Sequence, residues 1–401
     1  MKIQIFCGIL FGLLCLGGCA EREAWPQLSV EKIAIPADTA CVFPSLALSR
    51  DHLWMSWLDE SDDSLSRLRL AAFDGTVWSE EMIAAEGADW FVNWADFPSV
   101  TATPAGNLYT HTLQKSDTAV YAYHIKVRHY NPLNDQWSDA YIPYADRSAT
   151  EHGFPSFVPL SEERLAMIWL DGRNYVKGGS EEMMLGYTLL ENGQAAASST
   201  FLDQRICDCC QTDMAMSSRG LIAVYRDRSP KEIRDIYYSR HINGQWTEPK
   251  PVHQDNWKIG GCPVNGPAIA AKGDTVAVAW FTSAGGEARV LASLSYDAGE
   301  TFSTPSLIDA GKALGRVDIE LDEQNRPWVS WIRQAEDTAF IQICSFREDG
   351  SKSPALRVQA INPRRASGFP QLTYWQHKLW LAWTATDPHK HLQFLSISLH
   401  E

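Results

Sequence analysis

The chain has 401 residues, is 45% hydrophobic and 21% charged, and carries 49 acidic against 35 basic side chains for a formal net charge of −14. This composition excludes a disordered or collagen-like chain, and its acidic balance argues against nucleic acid or an anionic membrane surface as a general partner. Sixteen tryptophans, 26 glycines and 20 prolines favour short strands joined by turns over long helices.

At the amino terminus, Lys2 precedes an apolar run from Ile3 to Leu16 that is too short to remain as a membrane-spanning helix. The run closes on Leu16-Gly17-Gly18-Cys19, which resembles a bacterial lipobox. The resemblance implies a signal peptide over 1–18, acylation of Cys19, a lipid-anchored linker over 19–26 and one domain over 27–401. Ala20 follows the lipidated position, so the expected address is the outer membrane, on its periplasmic or surface side. An ordinary secretory signal with a chance cysteine is the alternative. Cys7 and Cys15 leave with the signal, so six cysteines remain: Cys41, Cys207, Cys209, Cys210, Cys262 and Cys344. In an oxidising compartment, paired disulfides are the default expectation for such a set.

Along the rest of the chain one unit repeats seven times. Its anchor is Trp57, His111, Trp169, Tyr225, Trp280, Trp331 and Trp383, each inside an alternating apolar run and spaced 51 to 58 residues apart. About thirteen residues before the anchor, Phe-Pro-Ser or a relative recurs at Phe43, Phe97, Phe154, Gly266 and Phe369; CQTDM and RVDIE hold that place in the fourth and sixth units. Two further alternating runs follow each anchor. Four short strands per unit of about 50 residues is the pattern of a propeller blade. The seventh unit ends after three strands at Leu392–Leu399, while Leu28–Ile35 is an orphan strand that can supply the fourth. The predicted fold is therefore an all-β, seven-bladed β-propeller closed by its N-terminal strand, with a six-bladed ring as the alternative.

Ser293–Phe302 contains Ser295-x-Asp297-x-Gly299-x-Thr301-Phe302, which matches an Asp-box, and weaker echoes stand at Phe73–Trp78, Asn134–Trp137 and Asn243–Trp246. With DWFVNWADFPS, EHGFPS, CDCCQTD and GCPVNGPA, the chain resembles exported bacterial lipoproteins of the sialidase-like Asp-box (BNR repeat) β-propeller family. The resemblance implies the fold and a carbohydrate-related role. Sialidases themselves have six blades, an Arg-Ile-Pro motif, an arginine triad and a Tyr–Glu nucleophile pair. Here Phe-Pro replaces the arginine-bearing motif and no Tyr–Glu pair can be placed from sequence, so sialidase activity does not follow from fold.

In a propeller the loops joining strand four to one and strand two to three converge on one face. Those loops carry the candidates. Glu151, Asp213 and Asp235 are expected acid/base groups. Arg173, Arg226, Arg228, Arg234 and Arg316, with His152 and Trp94, are expected to bind substrate, the arginines as forks for a carboxylate, sulfate or phosphate. Bracing ion pairs are the competing role for each arginine, and packing between blades for Trp90, Trp94 and Trp257. Cys207, Cys209, Cys210 and Cys262 fall in adjacent loops and are expected as disulfide partners. A soft-metal thiolate site is a second reading, weakened by the lack of paired C-x-x-C spacing; no metal or cofactor is assigned.

Three functions compete: an enzyme of glycoside hydrolase or lyase type acting on anionic glycans from an Arg/Asp/Glu-lined axial pocket, a non-catalytic glycan- or protein-binding propeller, and a copper, zinc or redox protein built on the CDCC segment. Expected partners are an anionic glycan or other acidic small ligand and, through the anchor, the outer membrane.

Overall fold

A computed structural model describes residues 24–38, 40–62, 64–191, 193–195 and 199–400. The expected signal peptide and the lipidation site Cys19 lie outside these residues. Seven antiparallel sheets follow in chain order. Their innermost strands are Cys41–Leu48, Ser99–Ala102, His152–Pro159, Asp213–Ser217, Ala268–Lys272, Ala313–Leu321 and Gln371–Trp375. The seventh blade is completed by Gln27–Ile33, which pairs along its whole length with His391–His400, Gln27 opposite His400 and Ile33 opposite Phe394. The fold is thus the seven-bladed propeller expected from the repeat, closed through the chain's first strand. This pairing satisfies the backbone of the last strand, which would otherwise present an open edge.

All seven anchors sit on second strands and are buried to 2% exposure or less. These strands are covered on both faces by neighbouring blades, which explains why their sequences read as near-continuous apolar runs. Burying each large side chain contributes about 2–3 kcal/mol. Several indoles also satisfy their N–H inside the core: Trp169 donates to Asp171, Trp328 to Asp322 and Trp331 to Asp309, at 3.0, 3.0 and 2.8 Å.

The Phe-Pro-Ser element is a bulge that ties blades together near the axis. Phe43, Phe154 and Arg316 occupy the left-handed region, with φ of 53°, 50° and 53°, and the strand register skips beside each. The amide freed from the ladder donates to a side chain outside its own blade: Phe43 to Thr384 Oγ1 at 2.8 Å, Phe154 to Asp96 Oδ1 at 2.9 Å and Arg316 to Asn265 Oδ1 at 2.7 Å. An extra residue with a redirected amide is what a bulge supplies. At the outer rim, the Ser295–Phe302 turn is knit by Asp297, which accepts from Ser295 Oγ at 2.7 Å and from the Thr301 amide at 2.9 Å. Phe302 from this turn packs edge-on against Tyr238 of the preceding blade, with centroids 4.9 Å apart.

Candidate functional site

Two cavities lie on the axis. The deeper one, of about 390 Å³, is lined by the inner strands of all seven blades. The second, of about 570 Å³, opens on the face where the loops converge. Asp96 and Phe154 belong to both walls.

The mouth cavity is built from segments of several blades. The segment before the second blade gives Phe91, Trp94 and Asp96, the loop after its second strand gives Tyr121 and Tyr123, and the entry to the third blade gives Glu151. Asp208, Cys209, Cys262, Tyr175 and Arg365 complete the rim. Tyr121 and Tyr175 are 60% and 39% exposed, so their rings face solvent at the rim. Trp94 instead stacks on Phe369 and lies beneath the guanidiniums of Arg316 and Arg365.

At the floor, the Tyr123 hydroxyl lies 2.8 Å from Glu151 Oε1 and 3.1 Å from Asp96 Oδ2. Phe91 stacks on Tyr123 at 4.2 Å and fixes the ring. Gly153 lies directly against this set, and a β-carbon there would collide with Asp96 Oδ2 and come within 2.9 Å of the phenolic oxygen. A phenol has one hydrogen to donate. Both contacts become hydrogen bonds only when one carboxyl carries a proton and donates it back to the phenolic oxygen. The electrostatics agree. Burial pushes Asp96 up to about 7, and burial reinforced by the charges of Asp96 and Asp208 pushes Glu151 up to about 8. Burial and the two carboxylates hold Tyr123 well above the ordinary phenol range, so it remains a donor. The structure therefore supplies a hydrogen-bonded Tyr–Glu pair where sequence reading could place none. Residues 123 and 151 lie in different blades, and only strand pairing makes them neighbours.

Of the other expected acid/base groups, Asp213 lies in the deeper cavity, where it accepts the amides of Met214 and Ile269 at 2.8 and 2.9 Å. Burial pushes it up to about 6. Asp318 and Glu320 line the same cavity; burial pushes Asp318 to about 7 and, joined by the charges of Asp318 and Asp213, holds Glu320 well above its usual range. Asp235 is a turn cap, accepting the amides of Asn256 and Trp257, both at 2.9 Å.

The expected arginine cluster divides in two. Arg226 and Arg316 are buried and donate to main-chain carbonyls: Arg226 to Asn265, Arg234 and Phe281, and Arg316 to Pro363, Arg364 and Gly368. Arg173, Arg228 and Arg234 are held by carboxylates. Arg173 grips Asp171 with two bonds of 2.7 Å, Arg228 meets Glu232 at 3.0 Å, and Arg234 meets Glu232 at 2.9 Å and Asp208 at 3.2 Å. His152 is fully buried, stacked on Tyr144, with Nε2 3.1 Å from Asp146. The guanidinium that lines the mouth without a carboxylate partner among the described residues is Arg365, which is not among the arginines expected to bind substrate.

The cysteine segment borders the mouth. Cys207 Sγ lies 3.7 Å from Cys209 Sγ and 3.6 Å from Cys210 Sγ, and Arg234 Nη1 points at Cys207 from 3.2 Å. Cys262 joins from the adjacent loop, its ligand atom grouped with those of Asp208 and Cys209 within 4.8 Å. All six described cysteines are thiols in the structure. Cys41 and Cys344 pack in hydrophobic clusters elsewhere.

Neither protein-family models nor curated proteins match the chain. Among solved structures, a protein of unknown function from Dyadobacter fermentans superposes with TM-score 0.52 at 10% identity, covering 92% of this chain and 99% of that one. NanB sialidase from Streptococcus pneumoniae follows at 0.44 and 12%, covering 92% and 70%. An ulvan lyase superposes at 0.46 and 8%, covering 80% and 78%. The Dyadobacter protein shares the fold; at these identities none of the three carries its chemistry over.

Proposed function

We propose that the chain acts on a glycan at its mouth cavity, cleaving a glycosidic bond with Glu151 as proton donor. The observation that supports this is the close contact of the Tyr123 hydroxyl with both Asp96 and Glu151, at 3.1 and 2.8 Å, on the floor of a cavity rimmed by exposed tyrosines. A carboxyl group still protonated near neutral pH can protonate a leaving sugar oxygen. Before donation, a proton on Asp96 reaches Glu151 through Tyr123, whose hydroxyl takes it up as it passes its own hydrogen to Glu151; after donation, water restores the proton. Asp208, ion-paired to Arg234 at 3.2 Å, offers a second carboxylate at the same rim. Tyr121 and Tyr175 present faces on which sugar rings stack. Arg365 suits one acidic group on the substrate, so an acidic glycan remains the favoured class. The lipobox-like Leu16–Cys19 supports an outer-membrane address for this activity.

The test is a turnover and binding screen of the purified chain on neutral and acidic glycans, with Glu151→Gln, Tyr123→Phe and Asp96→Asn beside the parent. Cleavage that falls by two or more orders of magnitude in Glu151→Gln, with glycan binding retained, is expected. Binding without turnover in the parent would leave a lectin-like propeller and remove the catalytic reading. Neither binding nor turnover would remove both.

A further inference from the structure

We propose that Cys207, Cys209 and Cys210 form a three-sulfur site for copper(I), reached from the mouth cavity past Cys262 and Asp208.

The first support is geometric. The sulfurs of Cys209 and Cys210 stand 3.7 and 3.6 Å from Cys207, and all three lie within 4.8 Å of one another. Metal–thiolate bonds of about 2.3 Å place ligand sulfurs roughly 3.8–4.0 Å apart, whereas a disulfide brings two sulfurs to about 2 Å. One short segment, Cys-x-Cys-Cys, thus presents three thiols around one point. Cys262 does not complete a tetrahedron; it groups with Cys209 and Asp208 on the side facing the cavity. Three soft donors without a close fourth suit copper(I) better than zinc(II), which favours four-coordinate closure in structural sites.

The second support is charge. Arg226 is 2% exposed, and its donors meet only main-chain carbonyls among the described contacts. A buried cation without an ionic partner is costly. Arg234, equally enclosed, aims Nη1 at Cys207 Sγ. Copper(I) bound by three thiolates carries two net negative charges; Arg226, whose carbonyl accepts the Cys207 amide at 3.0 Å, brings an uncompensated positive charge beside them, while Arg234, already paired with Glu232 and Asp208, supplies a hydrogen-bond donor to the Cys207 sulfur. The thiol protons leave to solvent on binding, and no electron is transferred. Cys207 and Cys210 are each 1% exposed, while Cys209 and Cys262 line the cavity. An ion therefore enters from the cavity side, and solvent is kept from the inner sulfurs.

The experiment is an anaerobic competition of the full reduced chain against a chromophoric copper(I) chelator, followed by X-ray absorption of the loaded protein. One copper(I) per chain, with a sulfur-only coordination shell, is expected. Cys207→Ser, Cys209→Ser and Cys210→Ser should each weaken retention beyond the 10–100-fold typical of an outer-shell loss. Cys41→Ser and Cys344→Ser, remote from the cluster, serve as controls that keep it. Folded, reduced parent protein that leaves copper with the chelator would overturn the proposal. So would unchanged retention in the Cys207 and Cys210 variants, zinc(II) uptake in place of copper(I), or a disulfide within the segment that resists reduction. None of these readouts depends on glycan turnover.

Discussion

Replacing Arg226 with methionine tests whether this residue is a ligand-binding group or a brace. The guanidinium makes four hydrogen bonds, of 2.6 to 3.1 Å, to the carbonyls of Asn265, Arg234 and Phe281, and lies 4.9 Å over the Trp257 ring. It therefore joins the fourth blade to the loop and second strand of the fifth. Methionine keeps much of the volume but leaves three buried carbonyls without a donor, at about 1–3 kcal/mol each. Some water entry and relaxation reduce this to an expected loss of about 3–6 kcal/mol. With an unfolding entropy near 2.1 cal/mol/K per residue, a chain of this length loses roughly 1 °C of Tm for each 0.8 kcal/mol. Differential scanning calorimetry should then show Tm lowered by about 4–8 °C. Arg226→Lys should fall between, because an ammonium cannot span three carbonyls. A methionine variant with Tm within about 1 °C of the parent would refute the brace and return Arg226 to the substrate-binding set.

Stability should also depend on pH with a definite sign. Asp96, Asp213, Asp318 and Glu151 are pushed up to about 7, 6, 7 and 8 by burial, so the folded chain binds more protons than the unfolded one between pH 4 and 8. Their contribution is full below pH 4 and declines as pH rises through that window; Tm at pH 5 should exceed Tm at pH 8, and Glu320→Gln should narrow the difference. Asp297 moves the other way. Thr301 and Ser295 outweigh burial and hold it down to about 2, so its contribution fades as pH falls from 4 toward 2, and Asp297→Ala should cost about 1–2 kcal/mol in urea unfolding at pH 7. Deleting residues 1–33 removes the strand that covers His391–His400; light scattering should show concentration-dependent association, and a monodisperse truncated monomer would count against edge protection.

The blade count was readable because seven buried anchors impose one spacing, and each needs the same alternating neighbours. Closure was readable because three strands at one end and one at the other leave only one economical pairing. The bulge at Phe-Pro-Ser could be recognised as a recurrent element but not as a tie between blades, since the partners Thr384, Asp96 and Asn265 share no motif. Arginines were the least legible group. A loop arginine reads the same in sequence whether it faces a ligand, as Arg365 faces the mouth, or turns inward to carbonyls, as Arg226 and Arg316 do. Tyr123 was missed because nothing around it in sequence is unusual; its neighbours Asp96 and Glu151 lie 27 and 28 residues away.

Sequence alone determined the architecture: strand period, turn chemistry and repeat spacing are local properties, and a ring of equivalent blades follows from their repetition. It also determined which cysteines are close along the chain. The tertiary structure alone decided which carboxylates meet one phenol, which guanidiniums remain open to a ligand, and that three thiols surround one point. For the carboxylates and guanidiniums these are distances between loops of different blades, set by how the sheets pack around the axis; for the thiols they are set by the turn that residues 207–210 adopt. Proton sharing and metal binding depend on such distances at the scale of a single hydrogen bond, which no local pattern encodes.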